Sequence, residues 1–204
     1  MKKNPIYIYI AAYLSLLIPT TGRFVYGLTL MLELFLLVLI GTLTISLIKK
    51  IKLQSLNSVV LMIVLTGFTI LYRQIIVITY AEIALTMGLL FYLPTVSVFL
   101  VYCVTKGVDQ PLPVRLKKNT LQSLLFCLAG ILIFLLRDIA GYGTFTFFGK
   151  NHHIYEKILF NPDQIGVFSF IASIPGILVF SGLILFLQFV IKKMKILKNV
   201  ENQK

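Results

Sequence analysis

Leu17-Ile-Pro-Thr-Thr-Gly-Arg-Phe24 interrupts the first long apolar run of the chain, and Leu93-Pro-Thr-Val-Ser97 interrupts a later one. Proline inside a helix removes a hydrogen bond and collides with the preceding turn. In lipid the freed carbonyl has no water to turn to, so broken helices survive at membrane depth only where they face protein or a wet cavity. Ile6 to Ile18 is 13 residues, ~20 Å as a helix, short of the ~30 Å hydrocarbon core. Extended chain through Pro19–Gly22 would complete the crossing before Arg23. Glu82 to Leu93 is a second half-helix of 12 residues, ending at Pro94. Pro19, Thr20, Pro94 and Thr95 are therefore expected at a protein-lined site near the midplane.

Composition sets the class. Of 204 residues 58% are hydrophobic and 13% charged, and the mean hydropathy is +0.95. Soluble domains carry about twice that charge, so the chain is read as one integral membrane domain, residues 1–204. The net charge of +12 does not point to nucleic acid, because the charges fall in short clusters between apolar runs. Met1-Lys-Lys and the run after it imitate a signal peptide, but no small-x-small cleavage site follows.

Six crossings are expected, at 6–22, 25–48, 57–79, 82–105, 119–139 and 165–190. Lys49-Lys50 stops the second and Lys192-Lys193 the last. The segment 107–118, with Pro111 and Pro113, is read as a break. The polar insertion 141–164 is expected to hold a short interfacial helix over 155–160. With this count, fourteen Lys and Arg fall on one side and five on the other, which puts both termini in the cytoplasm of a cell with an inner membrane. Breaks in crossings 1 and 4 fit two three-helix repeats, about 1–80 and 81–204, inverted because three is odd. The expected fold is thus an all-α membrane protein of two inverted repeats, a pattern of transport proteins with a site at the repeat interface.

Several stretches are similar to one family in colinear order. Leu135-Leu-Arg-Asp-Ile-Ala-Gly-Tyr-Gly-Thr-Phe145 resembles its LREIxGxGTLF stretch. Gly88–Pro94 resembles its GIFIP, Cys103-Val-Thr-Lys-Gly107 its Cys-x-x-x-Gly, and Ile18-Pro-Thr-Thr-Gly its Cys-Pro-x-x-Gly/Ala. Ile174-Pro-Gly-Ile and its basic tail resemble the last crossing. The chain so resembles the six-helix membrane subunits of the Rnf electron-transport complex and the sodium-pumping NADH:quinone reductase (Nqr). Of the two paralogues in each complex, which have opposite topology, it resembles the one with cytoplasmic termini. The resemblance implies electron transfer from NADH or ferredoxin coupled to Na⁺ or H⁺ movement. It implies as partners a paralogous six-helix subunit, flavin-bearing subunits and lipid, and no nucleic acid. It also implies a [2Fe–2S] cluster shared with the paralogue through two thiolates from each. Here Ile18 stands at one cysteine position, and Cys103 is the candidate cofactor and metal ligand. Arg137, Asp138, Gly141 and Gly143 are the motif residues carried over.

Glu33 is the sharpest polar anomaly, a carboxylate deep in crossing 2 between Leu32 and Leu34. Such residues mark an ion path or a partner. Cys127 reads as packing, Glu82 as interfacial, and His152-His153 as a solvated loop. No nucleotide-binding glycine loop or nucleophile constellation is present, so the chain alone is expected to catalyse nothing. Two rivals remain at this point: the substrate-binding membrane component of a vitamin importer, also six-helix and basic, and a purely structural assembly subunit.

Overall fold

The computed structural model describes residues 5–51, 56–106, 110–149 and 152–160, with separate positions between 170 and 194. The described chain runs α1 Pro5–Leu17, α2 Phe24–Ile51, α3 Asn57–Thr79, α4 Ala81–Met87, α5 Val98–Thr105 and α6 Leu112–Arg137, then the strands β1 Thr144–Phe148 and β2 Ile154–Ile158. Among the described residues three spans are long and apolar enough to cross a membrane: α2, α3, and α6 with the turn that follows it. The sixth expected crossing, 165–190, lies mostly outside the described residues.

α2 is the axis of the molecule. Its Met31, Leu34, Leu37 and Val38 pack with Leu16 of α1, Phe99 and Leu100 of α5, and Phe126 and Phe134 of α6. Its Val25, Tyr26 and Leu30 pack with Tyr72 and Ile76 of α3, Ile83 and Met87 of α4, and Phe91. One stripe cannot serve two cores, so α2 is apolar nearly all round, as a buried helix should be. α3 joins both cores, through Leu61 and Leu65 in the first and Tyr72 and Ile76 in the second. Its Ile63, Leu71 and Ile78 are exposed, a face suited to lipid.

The closest approach is between α2 and α6. A Cβ added to Gly27 would lie 2.0 Å from Phe134 Cγ, so only glycine lets that ring sit against the α2 backbone. Aromatic stacking fixes α1 against the same pair: Phe126 lies 3.9 Å from Phe99 and 4.1 Å from Tyr13, centroid to centroid, and the Tyr13 hydroxyl donates to the Phe126 carbonyl at 2.7 Å.

Several expectations are corrected. α6 starts at Leu112, not 119, because Pro111 and Pro113 stand at its N-cap and first turn, where no intrahelical amide is lost; the second half of the expected break 107–118 is therefore helix. α2 runs on past Ile48 through Lys49 and Lys50 to Ile51, since lysines at a helix C-terminus favour the dipole. The second half-helix ends at Met87 rather than Leu93. Gly88 takes φ +49°, open to glycine at no steric cost, and a 3₁₀ turn over Gly88–Tyr92 leads to Pro94. The chain is not all-α: in place of the interfacial helix over 155–160, β2 pairs antiparallel with β1, Thr144 opposite Ile158 and Phe148 opposite Ile154. The alternation of threonine with phenylalanine in β1 suits one packed and one open face.

The hairpin caps one end of the bundle. Phe145 and Phe147 stack on Phe24, Phe148 packs on Tyr80, and Glu156 pairs with Arg23 at 2.8 Å. That pair is about one-third exposed on both sides, worth about 0–1 kcal/mol. The aromatic contacts and the polar ties described below hold the hairpin.

Gly27→Ala should destabilise the protein by roughly 1–3 kcal/mol through overpacking, read as a lowered thermal midpoint in detergent. Gly67→Ala is the control: nothing lies within 4 Å of a Cβ there, and its midpoint should not fall.

Candidate functional site

The two helix breaks are held by different partners. At the first, α1 ends at Leu17 and α2 begins at Phe24, as the 13-residue half-helix requires. The Thr20 hydroxyl turns back on the carbonyls of Leu16 and Leu17, at 2.9 and 3.3 Å. Arg137, 3% exposed, donates Nη1 to the carbonyls of Leu17 and Thr20 at 3.0 and 3.3 Å. Gly22 lies against this guanidinium, with a Cβ there 3.1 Å from Nε. Pro19 itself is exposed, which corrects its expected place inside a lined site: it ends the helix without facing the interior.

Asp138 does the complementary work on the other side of the break. Fully buried, its Oδ2 accepts from the Phe24 amide at 3.1 Å, the Thr146 amide at 2.8 Å and the Thr146 hydroxyl at 2.7 Å. Its Oδ1 accepts from the Thr144 hydroxyl at 2.8 Å. The Val25 amide donates to Thr146 Oγ1 at 3.3 Å. A carboxylate at a helix N-terminus satisfies orphan amides and complements the dipole. One dipeptide thus caps the C-terminus of α1 with its arginine and the N-terminus of α2 with its aspartate. Gly141, buried, lies in the π-helical turn Asp138–Tyr142, and Gly143, at φ +66°, ends it. The Gly143 carbonyl then accepts from the Leu159 and Phe160 amides at 2.8 and 3.1 Å. The motif residues therefore form one junction of α1, α2, α6 and the hairpin.

The second break is different. Pro94 and Thr95 are buried, and Thr95 Oγ1 lies 2.7 Å from Thr69 Oγ1. Thr69 stands near the middle of α3, within Asn57–Thr79, so this break lies far from the hairpin end. Glu33 of α2 is fully buried, with the Thr69 hydroxyl beside it. Neither carboxylate oxygen has a hydrogen-bond partner of normal geometry among the described residues. One turn away, the Tyr72 hydroxyl donates to the Thr29 carbonyl at 3.0 Å. Ser97, just past the break, is 2% exposed and its hydroxyl is also unpartnered among the described residues. Glu33, Thr69 and Thr95 form the candidate site: one carboxylate and two hydroxyls, from α2, α3 and the second break.

Sequence reasoning selects Glu33, Pro94 and Thr95 and misses Thr69, Ser97, Thr144 and Thr146. Thr69 is one polar residue in an apolar helix, and no spacing marks it out. The hairpin threonines are within reach of the sequence, since Thr-Phe-Thr-Phe-Phe followed by a polar turn and Ile-Tyr-Glu-Lys-Ile is a strand–turn–strand pattern. Glu82 is exposed, with Oε2 accepting from the Ile154 amide at 3.3 Å. His152 and His153 are exposed.

The cysteines do not fit a shared iron–sulfur cluster. Cys103 is fully buried between α1, α2 and α6, with no face open to a partner's thiolates. Cys127 Sγ points at the Met31 carbonyl, 3.2 Å away.

No family model, curated protein or solved structure matches this chain. The site therefore rests on its own geometry.

Asp138→Ala should cost about 3–5 kcal/mol, since it strands buried donors at the junction. Asp138→Asn should cost clearly less: its carbonyl oxygen can serve the three donors at Oδ2, and its amide can donate to a reversed Thr144 hydroxyl. Thermal midpoints of the two variants check the order.

Proposed function

We propose that this chain is a membrane subunit of an Rnf- or Nqr-like redox-driven ion pump, and that its own contribution is a cation site at Glu33. The observation that carries the reading is the fully buried carboxylate of Glu33 beside a broken helix, with the Thr69 hydroxyl next to it and no other partner among the described residues. A lone negative charge there costs several kcal/mol, so it requires a cation in place, a proton or a metal ion. The Thr69 and Thr95 hydroxyls offer the oxygen donors a hard cation prefers. Unwound backbone around Pro94 offers carbonyls, the usual means of holding a coupling ion in transport proteins.

The inverted repeat belongs to the same proposal. Each half begins with a short interrupted helix, α1 and α4, followed by a break. α2 and α6, the next long helix of each half, run antiparallel and pack closely, as inversion requires. The family motif Arg137–Gly143 forms one compact junction, which supports the resemblance in residues that sequence alone could not connect. Electron transfer is assigned to the partner subunits, and no step here passes through a cluster.

Glu33→Gln, made in the assembled complex in inverted membrane vesicles, should lower Na⁺ or H⁺ uptake per electron at least ~10-fold, the effect of removing a membrane carboxylate on an ion path. Oxidation of NADH or ferredoxin should continue in uncoupled form. Unchanged uptake per electron would overturn the assignment. Purification without flavin-bearing subunits or a second six-helix chain would overturn the complex.

A further inference from the structure

At the end of the bundle opposite the hairpin, the C-terminus of α2 and the N-terminus of α6 enclose a cleft of about 490 Å³. Among the described residues its charged lining is cationic: Lys49 and Lys50 from α2, and Arg115 from α6, with Ser46 and Gln110 as neutral polar groups. Arg115 is 2% exposed. Its Nη2 donates to the Thr42 carbonyl at 2.5 Å, and Asn119 Nδ2 donates to Thr42 Oγ1 at 3.1 Å, so the guanidinium is held in a fixed place. Its Nε is buried with no hydrogen-bond partner among the described residues. A buried guanidinium whose Nε has no partner among the described residues, with lysines on the rim, is a site suited to an anion. The positive end of α6 adds to the same field.

We propose that this cleft binds the phosphate headgroup of an anionic phospholipid from the lysine-rich leaflet. Guanidinium and ammonium groups together suit a phosphate oxygen set. The cleft lies where two membrane-length helices end, which is the level of the headgroups. Around it the exposed side chains are apolar: Leu47 is 60% exposed, Ile51 64% and Leu112 40%. Acyl chains can lie on them, and a free phosphate ion would have no use for them. Basic pockets between membrane helices bind acidic headgroups by this chemistry. The inference is independent of the ion-pump reading.

The test uses the purified full-length chain, delipidated in a neutral detergent. Phosphatidylglycerol, phosphatidylcholine or inorganic phosphate is titrated, with retained adducts read by native mass spectrometry. Phosphatidylglycerol should be retained about tenfold or more over phosphatidylcholine, and Lys49→Gln/Lys50→Gln should abolish most of that preference, in line with the attraction each lysine contributes. Lys117→Gln/Lys118→Gln removes the same charge from exposed positions of α6 outside the cleft and should leave the preference in place. Arg115→Gln should lose it as well; the lysine pairs keep the test decisive if that variant does not fold. Equal retention of the two lipids would overturn the proposal. So would equal loss in the two lysine pairs, or displacement of the lipid by millimolar inorganic phosphate.

Discussion

A helix that stops inside a hydrophobic layer leaves carbonyls at one end and amides at the next start, and both must be satisfied from within the protein. In this molecule a single dipeptide meets both demands. Arg137 takes the carbonyls that end α1, and Asp138 takes the amides that begin α2. Because the two residues are adjacent at the end of α6, they also fix where α6 stops relative to the break. The π-helical turn then sends the chain into β1, whose Thr146 returns to the same carboxylate. Remove that carboxylate and four elements lose their common reference point.

The second break has no such cap. No arginine or aspartate among the described residues closes the turn at Pro94; instead Thr95 meets Thr69, two neutral hydroxyls, with an unpartnered carboxylate close by. Evenly capped breaks would suggest a scaffold. One break locked by charge and the other left polar but unsatisfied suggests a division of labour, in which the first holds the bundle and the second keeps room for a ligand. Buried unsatisfied groups are rare enough in native proteins that Glu33 and Ser97, both beside this break, call for an occupant.

Hydropathy makes the long helices legible. The bounds of α3 fall on the expected 57–79, and α2 differs by a few residues at its ends. The 13-residue limit of α1 follows from the proline alone. The rest is hidden for identifiable reasons. Pro111 and Pro113 look like breakers, though in the first turn of a helix proline costs nothing. Gly88 looks like one small residue in an apolar run, and only its positive φ shows that it ends α4. Glu33 stands out because charge in lipid is costly whatever surrounds it. Thr69 does not, because a threonine in a membrane helix can satisfy itself on its own backbone, as Thr42 does on Val38; its pairing with Thr95 is a fact of tertiary contact.

The distribution of polar ties also says which part of the bundle is fixed. α2 and α6 are tied at one end by Asp138 and Thr146 and at the other by Arg115 and Asn119 on Thr42, with Phe134 against Gly27 between them. On its other side α2 meets α3 through apolar packing and the bond from Tyr72 to Thr29. Glu33 lies on that second side. Rearrangement costs least where few directional bonds must break, so the α2–α6 contact is the more firmly tied of the two and the α2–α3 contact beside the carboxylate the less. The ion path proposed at Glu33 would draw on this asymmetry: a firmly tied helix to carry the charge, and a more loosely tied one beside it.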